Sequence, residues 1–303
     1  EADINDQPIP DEALDFRFTL ENADMSYLGP MPRLSVPRAE GHVTGDTFEA
    51  IIPQAGLEVG GEEIAITNGR FFVPALHKKG TIGEIELTAA GSLRGLLMLF
   101  DHEPLGFISQ FGLDPASAGG TGQLTAKLSL PLVKEVSLDD VKYNGSGKAS
   151  GASIPDVMED ISATEGELDI KVAQEAIEIS GPVKLNGAPV TLNWRERLDG
   201  DAPGPQTRIG LKGTIGTQDR AALGLDLGEF LLGPVTADAT FTGEADDINA
   251  GAIRLGLTNS IIRIQPVGWW KGSESPANAE FDVAFKKDGS ISLTNIDVAG
   301  EEI

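Results

Sequence analysis

The stretch GPVKLNGAPVTLNWRERL, residues 181–198, decides the fold. Asn186-Gly187 is a dipeptide favoured in two-residue hairpin turns, and on each side of it apolar residues alternate with polar ones. Val183 and Leu185 before the turn, and Val190, Leu192 and Trp194 after it, fall on one face, while Lys184, Thr191, Asn193 and Arg195 fall on the other. A lone two-stranded ribbon is marginal in water, so the hairpin needs something to cover its apolar face.

The same period-two alternation recurs along the chain, and each copy predicts a half-buried strand. Residues 122–132, GQLTAKLSLPL, place Leu124, Ala126, Leu128, Leu130 and Leu132 on one side. Leu168, Ile170 and Val172 in GELDIKV, then Ile177 and Ile179 in AIEI, repeat the pattern. Val235 and Phe241 in PVTADATF and Phe281, Val283 and Phe285 in AEFDVAF continue it, and LDFRFTL at 14–20 begins it. Glycine punctuates nearly every run, so consecutive strands should pair antiparallel in a meander.

Helical spacing stands out in two places. Leu93, Leu96, Leu97 and Phe100 are so spaced, with Pro104 placed to open a further turn carrying Phe107, Ile108 and Phe111, which predicts a helical insert over about 93–113. Ser153 as a cap, Pro155 in the first turn, and Ile154, Val157, Met158 and Ile161 on one face predict a second over about 154–162. The run DGDAPGPQ at 199–206 reads as a loop or linker between a segment 1–198 and a segment 207–303 of the same style.

Composition removes several functions. With 23 Lys and Arg against 47 Asp and Glu, the formal charge of −24 repels a nucleic-acid backbone and an anionic leaflet alike. There is no cysteine, hence no disulfide and no thiolate site. No apolar run reaches the roughly eighteen residues that a membrane-spanning helix needs. A start at Glu1 without a signal sequence and a stop at AGEEI lead us to expect a piece of a longer protein.

Catalytic signals are sparse. His42, His77 and His102 are isolated and show no metal-binding spacing, and Asp101, His102 and Glu103 sit where caps and first-turn charges are expected. GGTGQL and GSGKASG lack the spacing or context of a phosphate loop and read as strand turns. Trp269 and Trp270 offer either a sugar-stacking pair or a packing anchor. With so many carboxylates an acid pair for glycoside hydrolysis stays open, but its signature is a distance in space. The expectation is a protein that is no enzyme and needs neither cofactor nor metal.

Three covers are available for one-sided strands: a second sheet, a helix layer or a ligand. Two short helices cannot roof this many strands. We therefore expect an all-β fold, an elongated and strongly curved antiparallel sheet forming a β-groove with a few short helices, and keep a β-sandwich as the alternative. In the sandwich case the chain would be a structural or adhesive module binding a protein or glycan.

Several weak marks in order resemble the AsmA-like superfamily, nearest to its YhdP-type branch. They are the strand ending at Gly91 before a Leu-rich helix and EPLGF, the LSLPL strand, IPDV, and the GPVKLNGAPVTLNW hairpin, covering roughly residues 30–198. The resemblance implies a periplasmic segment of an inner-membrane-anchored envelope protein of a Gram-negative bacterium. Such a segment would conduct phospholipids along its groove toward the outer membrane. The partners implied are phospholipid acyl chains and the remainder of the same long chain with its membrane anchor, with room for other envelope proteins and none for nucleic acid. The lipid-facing residues would then be Leu124, Leu128, Leu130, Leu168, Ile170, Val172, Ile177, Ile179, Val183, Leu185, Val190, Leu192, Trp194, Val235, Phe241, Phe281, Val283 and Phe285.

Overall fold

The computed structural model describes residues 9–300 apart from 28, 104, 135, 138–139, 159, 199–202 and 245–246. In chain order the elements are β1 (Asp15–Met25), β2 (Leu34–Thr44), β3 (Phe48–Val59), β4 (Glu62–Val73), β5 (Ile82–Ser92), helix α1 (Leu93–Asp101), β6 (Gly119–Pro131), β7 (Lys142–Met158), β8 (Ile161–Ala173), β9 (Ala176–Leu185) and β10 (Ala188–Arg197). They continue as β11 (Thr207–Ile215), helix α2 (Thr217–Ala222), β12 (Leu231–Leu232), β13 (Val235–Glu244), β14 (Asp247–Gly256), β15 (Ile261–Ile264), β16 (Trp269–Lys271), β17 (Ala277–Phe285) and β18 (Ile291–Gly300).

Fifteen of these strands make one antiparallel sheet whose spatial order is sequence order, while β12, β15 and β16 form a small three-stranded sheet of their own. The large sheet begins at β1 and ends at β18 without closing into a barrel. It is the curved open sheet expected from the alternation, not a sandwich. The quoted hairpin is β9 and β10, with Val183 opposite Val190 and Trp194 opposite Ile179. Asn186 and Gly187 adopt φ of 45° and 89°, the left-handed values that a tight hairpin turn requires. Across the 199–206 loop, β10 pairs directly with β11, so the sheet runs through it.

Irregular pairing bends the sheet. Register shifts interrupt β4–β5, β8–β9 and β17–β18, and next to them Asn68, Glu165 and Asn295 take positive φ. A bulge of this kind kinks the strand and increases its twist.

All the large inserts emerge at one end of the sheet, which we call the helix-bearing end. There α1 connects β5 to β6, α2 and β12 connect β11 to β13, and β15 and β16 connect β14 to β17. Ser92 caps α1, accepting the Gly95 N–H at 3.0 Å and donating to Glu62 at 2.6 Å. The helix lays Leu96 and Leu99 on Leu57, Val59, Ile64 and Ile66, and Leu93 on Ala149 and Ala152. A third cluster, Leu231, Val235, Leu257, Ala277 and Ala279, lies under the small sheet.

The helix expected over 93–113 is shorter: α1 ends at Asp101, and single 3-10 turns follow at Ser109–Phe111 and Pro115–Ser117. Pro104 lies outside the described residues. The helix expected over 154–162 does not form. Ile154, Val157 and Met158 are the end of β7, and Ile161 begins β8. Pairing wins because β8 offers Ile154 and Met158 partners in Ala163 and Ile161, while φ of 50° at Asp156 and 59° at Asp160 breaks any helical run. GSGKASG likewise lies inside β7 and is not a turn.

Candidate functional site: an unroofed apolar face

Directly paired residues of an antiparallel sheet share a face, so the register shows which side each side chain occupies. One transverse row runs Ala55, Ile66, Ala89, Leu124, Gly147, Ile170, Ile179, Trp194, Ile209, Phe241, Gly251, Val283 and Leu293, from β3 to β18 without a polar side chain. One residue along, on the other face, the row reads Gly56, Ala65, Ala90, Gln123, Lys148, Asp169, Ser180, Asn193, Gly210, Thr240, Ala252, Asp282 and Thr294. The two faces are separated by a single step along each strand.

Every residue predicted to line the face is on the apolar side. Leu168 follows the parity of Ile170, and Val172 pairs with Ile177. Leu128 and Leu130 face Ile85 and Gly83, Leu185 faces Ala188, and Leu192 faces Leu211. Val235 faces Ile215, Phe281 faces Ile253 and Phe285 faces Ile291. Val183, Val235 and Val283 are buried, and the others are half-buried.

Where neither α1 nor the small sheet covers the face, half-burial has a local cause: large side chains lie down over glycines of the next strand. Phe18 lies over Gly41, Leu124 over Gly147, and Phe241 over Gly251, where an added Cβ would come 2.7 Å from the ring. The bare backbone supplies the space that lets the lining stay low and continuous. Aromatic pairs thicken it away from the helix-bearing end, through Phe16, Phe18, Phe48 and Phe71 in series and through Phe241 with Phe285 at 6.2 Å.

The opposite face is held by cross-strand ion pairs, Lys127 with Glu86 at 2.9 Å, Lys148 with Asp169 at 3.0 Å, Lys212 with Asp238 at 2.9 Å, and Arg195 with Glu178. Lys184, Thr191, Asn193 and Arg195 stand on this side, as the hairpin pattern requires.

After α1 the chain crosses the apolar face, and Phe111 meets the edge of Trp194 with ring centroids 5.7 Å apart. Asp101 holds the start of this strap, its carboxylate accepting the Ile108 and Ser109 N–H groups at 3.0 and 2.7 Å. That is the capping role expected of an acid there.

One lining residue was missed from the sequence. Glu196 sits on the apolar face between Ile177 and Thr207 and is fully buried, with the Thr207 hydroxyl donating to it at 2.6 Å. Burial raises its pKa, against the lowering pull of hydrogen bonds from Thr207 and Gln206. Its two register partners, Ile177 and Thr207, carry no carboxylate.

His77 ties two loops by bonding Asp46 at 2.5 Å, holding that carboxyl below its usual range, and His42 of β2 does the same for Asp15 of β1 at 2.9 Å. Among the described residues no cluster of three or more His, Asp or Glu is arranged to hold a metal ion. Trp269 and Trp270 project to opposite sides of β16 and do not form a stacking pair. Among the described residues no helix is long and apolar enough to cross a membrane.

Neither protein-family models nor curated proteins match this chain. What its function can be argued from is therefore the face itself.

Proposed function

We propose that the chain is a non-catalytic module that shelters phospholipid acyl chains along its apolar face. The observation that carries this reading is the transverse row from Ala55 to Leu293, continuous and apolar, covered by α1 at Ala55, Ile66 and Ala89 and touched by Phe111 at Trp194, with no second sheet over the rest. A strand of about ten residues spans roughly 33 Å, ample for one acyl layer. Each sheltered methylene contributes about 0.8 kcal/mol, so partial cover suffices for useful binding. The strands at the two margins, β1 and β18, leave Phe16, Leu20, Ile291 and Leu293 exposed on the same face. In this reading further strands of a longer protein continue the lining there.

The AsmA-like, YhdP-type resemblance supports reading such a module as a periplasmic part of an inner-membrane-anchored conduit to the outer membrane of a Gram-negative bacterium. Purified protein should carry phospholipid detectable by organic extraction and mass spectrometry, or take up a fluorescent fatty acid. Leu192→Asp should abolish that uptake while the β-sheet circular dichroism persists. A well-folded chain that never binds either probe would end the proposal.

A further inference from the structure

The small sheet of β12, β15 and β16 has two unlike faces. Its inner face packs on the helix-bearing end of the large sheet, where Leu231 and Ile262 join Val235, Leu257 and Ala279. Two buried cations fix it there. The Lys271 ammonium, 1% exposed, donates to the carbonyls of Leu257, Ser260 and Gly272 at 2.8 to 2.9 Å and to that of Thr258 at 3.2 Å. The Arg220 guanidinium donates to the carbonyls of Leu231 at 2.7 Å, Gly233 at 2.8 Å and Ile215 at 3.2 Å. Buried cations are tolerated only when hydrogen-bonded, and these bonds make the small sheet a pinned plate.

The outer face of that plate is apolar and open. Trp270 pairs with Arg263, and the pairing of Leu231 with Ile262 sets Phe230 at the position beside Arg263. Phe230 is 58% exposed and Trp270 66% exposed, and Leu225 and Leu227 in the preceding turn are exposed as well. Asp226 and Glu229 stand exposed at the rim, Glu229 accepting a bond from Gln265 at 3.1 Å. Phe230 and Trp270 thus stand on the side opposite the buried Leu231 and Lys271.

We propose that this outer face docks on a zwitterionic phospholipid surface, an inference resting on the reading above only in taking lipid as the ligand of the adjoining face. Tryptophan, phenylalanine and leucine suit the boundary between head groups and chains. Arg263 suits the phosphates, and Asp226 with Glu229 suits the ammonium groups of the same head groups. The chain's charge of −24 disfavours an anionic surface and leaves the zwitterionic one. Position agrees: the plate covers Val235 and Ala279 where β13 and β17 begin, so a bilayer against it would lie along one side of the lining.

The test is flotation of the whole chain with phosphatidylcholine vesicles, read together with tryptophan emission. The protein should co-float, with emission shifted to the blue and quenched by brominated lipid. The Phe230→Ser, Trp270→Ser double variant should partition at least about tenfold more weakly. Arg263→Glu, which touches no core, should weaken docking less, and supplies the test should the double variant fail to fold. Absence of flotation, or unchanged flotation of a folded variant, would overturn the proposal, as would burial of this face in a dimer of the chain. Loading with fluorescent fatty acid from solution needs no vesicle and reports on the apolar face alone. Docking lost with loading intact refutes only the plate, whereas loading lost with docking intact refutes only the lining.

Discussion

One apolar face has two regions. At the helix-bearing end, α1 and the small sheet press on it and three clusters of side chains become buried. Farther along the same strands, Leu128, Val172, Ile177, Phe241 and Phe285 are chemically equivalent yet only half-buried. The strands do not distinguish the regions, since the alternation is the same in both. The roof distinguishes them: where it lies the face is a core, and beyond it these side chains are only half-buried, with Glu196 a buried exception.

A charge placed on each region should separate them most widely. Ile66→Asp, under the roof, leaves a buried charge without a partner and should cost about 4 kcal/mol or abolish folding. Leu192→Asp can reach water and should cost no more than about 2 kcal/mol. Equal unfolding by both in urea titration would mean that the second region is also a closed core.

Truncation gives a smaller version of the contrast. Ile64→Ala, at a position 1% exposed, should cost about 3 kcal/mol, and Val172→Ala about 1 kcal/mol. Matching costs would remove the distinction between roofed and unroofed lining.

Glu196 sharpens it from the polar side. Burial raises the folded carboxyl's pKa above its unfolded value, so the folded state binds the proton more tightly. The resulting stability is complete below the unfolded carboxylate range and is lost as pH rises through the folded pKa. Glu196→Gln should therefore melt higher than the native chain at pH 8, with the gap closing toward pH 4. A gap independent of pH would show that burial does not raise this carboxyl's pKa.

The smallest effect belongs to the opposite face. A double-mutant cycle on Arg195 and Glu178, an exposed pair, should return about 0.2–1 kcal/mol, weakened by salt.

The alternation was legible because period two depends on one strand at a time, and a register slip of one residue would turn every side chain over. Hence Val183, Leu192 and Trp194 are on the side read from the hairpin. The helix read at 154–162 failed because Ile154, Val157, Met158 and Ile161 fit a bulged strand end as well as a helix, and the deciding partner, β8, is a tertiary fact. The small sheet and α2 were missed because their elements are short. Nothing local marks Lys271 or Arg220 as buried, since the carbonyls around them come from separate turns. Glu196 was hidden for a related reason: its phase in β10 matches the lining, but its side chain does not.

The central claim is that lipid meets one face of the large sheet and not the other. A photocrosslinking side chain placed in turn at 190, 191, 192, 193 and 194 of β10, in protein loaded with radiolabelled phospholipid, tests it most directly. The account predicts crosslinks at Val190, Leu192 and Trp194 and none at Thr191 and Asn193. Crosslinks without that alternation, or none at any of the five, would contradict it.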